Sequence, residues 1–136
     1  MSTETNVEGL VSVPSEHDAS GTITRLIAAL GKHGMTVFAR IDHAAGAAAA
    51  GLKLRPTEVV LFGNPKGGTF LMQDRQSAGI DLPLKALVTE DAEGNVWLAY
   101  NDPHWIARRH GLGAASAAAV NAMTQALAAI AREATE

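Results

Sequence analysis

Apolar and polar positions change period several times along this chain, and each change marks an element. Leu10 to Val13 reads as a short first strand closed by Pro14. In SEHDASGTITRLIAALGKHG, Ile23, Leu26, Ile27 and Leu30 share one face at helical spacing. Ser15 or Asp18 can cap its first turn, and Gly34 stands where a left-handed C-terminal cap belongs. Met35, Val37, Ala39 and Ile41 then alternate with Thr36, Phe38, Arg40 and Asp42, the period of a half-buried strand. DHAAGAAAAGL predicts a short helix capped by Asp42, with Gly51 near its end. The stretch from Glu58 to Phe62 is apolar after its first residue and reads as a central strand.

The pattern breaks at GNPKGG, Gly63 to Gly68, and TFLMQDRQSAGIDL then predicts one or two helical turns ending at Gly79. PLKALVTEDAEGNVWLAYNDP carries the clearest hairpin, with Leu84, Ala86 and Val88 alternating, a turn at Asp91 to Asn95, and a return strand from Val96 to Tyr100. Pro103 opens a short helix that ends at Gly111. A longer, Ala-rich helix is expected over about 114–134, where Val120, Met123, Leu127 and Ile130 step by three and four into a narrow apolar seam. These elements predict an α+β fold. It is a two-layer sandwich whose curved, mainly antiparallel sheet of about five strands is covered by helices on one face. The core order is strand-helix-strand-strand-strand-strand-helix. Residues 1–8 read as a frayed tail and residues 9–136 as a single domain.

Length agrees with one domain, because 136 residues support one sizeable core and not two. A 47% apolar and 18% charged composition is that of a soluble globular chain. Net charge is −3 and the 11 Lys and Arg are spread out, so no basic face for nucleic acid is expected. The absence of Cys excludes disulfides, thiolate zinc sites and a Cys nucleophile. A polar, acidic start without a following apolar run predicts neither a signal peptide nor membrane insertion, and the expected location is the cytoplasm.

The candidate chemistry is sparse. GNPKGG places Lys66 between Gly63 and Gly67, and Pro65 removes an N–H donor, so it is not a nucleotide-binding loop. It reads as a strand-ending turn, with an anion site on Lys66 and the next helix's N–H groups as the alternative. Asp42 and His43 are neighbours and do not form a dyad. His43, after a strand and at a helix start, suits a haem iron or a general base. The His residues at 17, 33, 43, 104 and 110 show no zinc spacing. No Gly-x-Ser-x-Gly is present, which leaves serine catalysis without a sequence signal.

TVFARIDHAAGAAAAGLKLRPTEVVLFGNPKGGTFLMQ followed by IDLPLKALVTEDAEGNVWLAYNDPHWIARRHGL closely resembles the family known as domain of unknown function 302, over about residues 12–112. The resemblance implies a compact α+β domain with a curved antiparallel sheet, and no established activity. Its recurring polar positions fall on His43, Asn64, Lys66, Lys85, Tyr100 and Asn101, and Met72 is among the apolar ones.

Two functions are weighed on these residues. One is a non-catalytic small-ligand-binding or interaction module, homodimeric through the apolar seam, with its ligand held by His43, Asn64, Lys66, Met72, Lys85, Tyr100 and Asn101. Haem on His43 is one candidate ligand, and zinc or a nucleotide is not expected. The other is an enzyme for a small anionic substrate, with Lys66 and Lys85 binding the anion and His43 moving a proton. Both require the side chains after two neighbouring strands to meet in one cleft. A purely structural use of the last helix predicts that truncation after Leu112 leaves a folded domain.

Overall fold

Alternation that buries Leu84, Ala86 and Val88 marks the strand at the middle of the sheet. The structure, a computed structural model of the chain, describes residues 7–136. In order it contains β1 (Leu10–Ser15), α1 (Ala19–Lys32), β2 (Thr36–Asp42), α2 (His43–Ala49), β3 (Thr57–Gly63) and α3 (Pro65–Asp74). There follow a 3-10 turn (Gln76–Asp81), β4 (Leu84–Glu90), β5 (Val96–Asn101), α4 (Pro103–His110), a second 3-10 turn (Ala114–Ser116) and α5 (Ala117–Thr135). The five strands form one open antiparallel sheet in the order β1-β5-β4-β3-β2. The fold is α+β with its helices on one face.

The core lies between that face and the helices. Val60, Phe62, Leu84, Ala86, Val88, Leu98 and Tyr100 come from the sheet. They meet Ile23, Leu26 and Leu30 of α1 and Val120, Met123, Leu127 and Ile130 of α5. Each large side chain so buried stabilises the fold by roughly 1.5–3 kcal/mol. Asp18 caps α1 by accepting the Gly21 N–H at 2.7 Å, and Asp42 caps α2 by accepting the Ala45 N–H at 2.9 Å. At the far end of the chain, the Glu16 N–H donates to the Thr135 carbonyl at 2.8 Å, so α5 is closed against the link between β1 and α1.

Several sequence expectations change. Ser15 is not the cap of α1; its hydroxyl lies 2.7 Å from that of Thr22. Pro14 stays inside β1, which tolerates it because β1 is an outermost strand. β3 has neighbours on both sides, but the middle strand is β4. The seam on α5 faces inward: Val120, Met123, Leu127 and Ile130 are all buried in the domain's own core, so it offers no surface to a second copy. Of the expected tail, residues 1–6 lie outside the described residues, and Val7 to Gly9 form a turn closed by the Leu10 N–H on the Val7 carbonyl at 3.1 Å.

Candidate functional site

The GNPKGG break is a helix start. Asn64 is extended, its side-chain oxygen accepts the Lys66 N–H at 3.0 Å, and Pro65 occupies the first helical position, where a missing N–H costs nothing. The strand-ending turn expected there is thus the first turn of α3 itself. This also weakens the anion alternative. Pro65 has no N–H, that of Lys66 is held by Asn64, and that of Gly68 donates to the Asn64 carbonyl, which leaves Gly67.

Gly67 and Gly68 sit inside α3, where each costs about 1 kcal/mol relative to Ala. Space explains them. A Cβ on Gly67 would lie 3.2 Å from Met123 Cε, and one on Gly68 would lie 3.7 Å from Leu82 Cδ1. Across from them, a Cβ on Gly79 would lie 3.3 Å from Met72 Sδ. The backbone withdraws around two methionines and leaves a cavity of about 300 Å³ between α3, the end of β3 and the link into β4. Its walls are apolar, built by Phe38, Met72, Leu82, Pro83, Leu84 and Met123, and Asn64 and Thr69 bring the polar side chains.

Phe38 reaches this cavity through a bulge. Val37 pairs with Phe62 and Ala39 with Leu61, so Phe38 is the extra residue of β2 and leaves the ladder. Its ring is 51% exposed and forms part of the rim. The perfect alternation of the sequence gave no sign of the bulge, and Phe38 was not among the expected ligand-binding residues.

Of those residues, Asn64 and Met72 line the cavity and the others do not. β2 and β3 are neighbours but antiparallel, with Asp42 opposite Glu58 and Thr36 opposite Gly63. His43 follows β2 and Asn64 and Lys66 follow β3, so they lie at opposite ends of the sheet, about 17 Å apart along β3 at the usual strand rise. The expected convergence of His43 with Lys66 and Lys85 on one substrate is therefore corrected. His43 itself is exposed, on a helix without a buried residue.

Lys85, opposite Leu61, points to the sheet face away from the helices, with Nζ 3.4 Å from the Asp81 carbonyl. Tyr100 is buried on the helix-covered face, where burial and then the Asp102 charge push its hydroxyl above the usual value of 10.0. Asn101 ends β5 half-buried, opposite Leu10. Asp74 accepts from the Ser116 hydroxyl at 2.7 Å and the Gly113 N–H at 2.9 Å. Those two donors hold its carboxyl below the ordinary 3.8.

Comparison with known proteins places this geometry. The family model described as "Domain of unknown function DUF302" matches residues 11–130. The chain belongs to the DUF302 family. The crystal structure of an uncharacterized conserved DUF302 protein from Bacillus stearothermophilus superposes with a TM-score of 0.84 at 19% identity, over 94% of this chain and 99% of that one. At that identity the likeness is one of DUF302 fold alone. Over 115 residues this DUF302 chain is also 54% identical to two proteins named fluoride-specific ion channel FluC 1. They come from Brucella suis biovar 1 (strain 1330) and Brucella abortus biovar 1 (strain 9-941). The match covers 85% of this chain but 45% and 43% of those relatives, so the chain spans less than half their length.

Proposed function

We propose that this chain binds a small, largely apolar ligand in the cavity beside α3, a site that binds without catalysing. The observation that carries the reading is the cavity wall: two methionines and a phenylalanine around space kept open by Gly63, Gly68 and Gly79, with Asn64 and Thr69 to orient a polar end. Such a lining, apolar with few polar groups, is typical of small-molecule sites. Methionine side chains adapt to irregular shapes, which suits a ligand of modest size. Native mass spectrometry of the freshly purified chain, repeated after denaturation, tests this. A mass excess lost on denaturation supports it, and a bare chain that stays bare against a library of small apolar compounds overturns it.

The same proposal places the domain in the cytoplasm as a homodimer. With the α5 seam spent on the core, a second copy would meet the uncovered sheet face, where Val59, Leu61 and Leu87 are half-exposed and Ile41 is 45% exposed.

The 54% identity to proteins named as fluoride channels favours a second reading, in which the domain works beside a channel. It would act there as a ligand-responsive partner and not as the pore. One stretch, Ala114–Thr135, is long and apolar enough to cross a membrane, but its large side chains belong to the core. The cavity wall carries no cationic side chain that would hold fluoride. Fluoride should then leave the melting temperature of the isolated chain unchanged.

A further inference from the structure

We infer that Ser77 is a nucleophile toward small activated carboxylic esters, with His110 as its general base and Asp81 positioning the imidazole. None of these three side chains lines the apolar cavity, so the site is separate from the ligand site proposed above. Ser77 Oγ lies 2.8 Å from His110 Nδ1, and His110 Nε2 lies 2.5 Å from Asp81 Oδ2. An ionised carboxylate only accepts, so in the neutral ring Nε2 carries the hydrogen and Nδ1 is left to accept the Ser77 O–H. Nucleophile, base and orienting carboxylate are thus in hydrogen-bonded sequence, the arrangement that activates a serine for acyl transfer. The ring nitrogens exchange roles relative to the familiar serine-protease triad.

Burial supports the assignment. The His110 side chain is 7% exposed and that of Asp81 12%, while Ser77 is exposed. The base is held in one orientation away from water, and the hydroxyl it serves faces solvent, where an ester can reach it. Arg109 fixes Asp81 from the other side, with Nη1 at 2.9 Å from both carboxylate oxygens, and its guanidinium carbon lies 5.8 Å from the centre of the Trp105 ring. Ser77 stands exposed on the short 3-10 turn Gln76–Asp81.

In the step, Ser77 Oγ bonds to the ester carbonyl carbon while its proton passes to His110 Nδ1. The bond from that carbon to the leaving oxygen breaks, and the oxygen departs with the proton from Nδ1. Ser77 keeps the acyl group as its own ester. Water then repeats the sequence, releases the acid and restores the serine.

The test uses the whole chain with p-nitrophenyl acetate, following p-nitrophenolate release and locating the acetyl group by peptide mass mapping. A burst close to one equivalent with acetyl on Ser77 is expected. Ser77→Ala should abolish it without moving the melting temperature, since the side chain is exposed. His110→Gln should slow it by about a hundredfold or more. Asp81→Ala should slow it too, and Asp81→Glu should restore part of the rate, which a purely structural ion pair would not do. Acetyl found on lysines with Ser77 unmodified, or a burst that survives Ser77→Ala, overturns the proposal.

Discussion

The ring of Phe38 covers Gly63, with Cε2 3.5 Å from the point that a Cβ on Gly63 would occupy. One residue is unpaired by a bulge and the other is the buried last residue of β3, so a defect in the ladder supplies the cavity's aromatic wall. Phe38→Ala removes that wall while changing little of the core, because the ring is half exposed. Stability should fall by less than about 1 kcal/mol. Any ligand carried through purification should be lost or bound at least about tenfold more weakly, a change of about 1.4 kcal/mol. Titration calorimetry beside thermal melting separates the two effects.

Gly9 has φ +77, and a Cβ there would lie 2.4 Å from Trp105 Cγ. The indole therefore rests directly on the Gly9 backbone, and the Gly9 carbonyl accepts the Asp102 N–H at 2.8 Å. Gly9→Ala combines backbone strain with a steric clash and should cost on the order of 2 kcal/mol or more. A lower urea midpoint with an unchanged slope is the expected signature. An unchanged midpoint would mean that the start of the chain does not dock on α4 in solution.

Truncation after Leu112 should unfold the chain. It removes Val120, Met123, Leu127 and Ile130 from the core, and four such side chains contribute roughly 6–12 kcal/mol, comparable with the whole stability of a domain. Loss of the cooperative circular-dichroism transition is expected. A truncated chain that still melted cooperatively would show that α5 is an appendage.

Tyr100 is the chain's sole tyrosine, so its ionisation can be followed by ultraviolet absorbance without interference. Burial, and secondarily Asp102, raise its folded value above the unfolded one near 10.0, against a smaller opposite effect of Arg132. Below that unfolded value both states are neutral and its contribution is fully present. As pH rises, the unfolded chain ionises first and stability falls until the folded value is passed. Tyrosinate should therefore appear at higher pH in the native protein than in urea, and coincident titrations would place the hydroxyl in water.

Asp74 works at the acid end. Its carboxyl is held low first by the Ser116 hydroxyl and then by the Gly113 N–H, so its contribution is present above the unfolded value near 3.8 and is lost as pH falls through the lowered folded value. Ser116→Ala should flatten the fall of melting temperature with pH across the carboxylate range. A slope identical to that of the unaltered chain would dissociate this contact from acid unfolding.

Much of the fold was legible because the relevant signals are local. Asp18 and Asp42 cap where the sequence allowed them to, and alternation from Leu84 and from Val96 located the hairpin. What failed depended on partners that periodicity does not name. Val120, Met123, Leu127 and Ile130 have the same spacing whether they face a second chain or the domain's own sheet. The alternation around Phe38 is unbroken in the sequence, since a bulge is decided by the neighbouring strand. Gly67 and Gly68 lower helix propensity and hid the start of α3, although the Asn64-Pro65 cap was the signal that could have revealed it. His43 was grouped with Asn64 because both follow strands, and only the antiparallel pairing of β2 with β3 separates them. Ser77, Asp81 and His110 meet across 33 and 29 residues of chain, and no motif spacing announces them.

An open sheet exposes two rows of unpaired backbone groups, and here each row is spoiled as a template for fibrils. Pro14 withholds an amide hydrogen from the β1 side, and the displaced Phe38 interrupts the β2 side after two residues. Strand-by-strand polymerisation is disfavoured at both ends. A concentrated solution of this chain should accordingly resist seeding by amyloid.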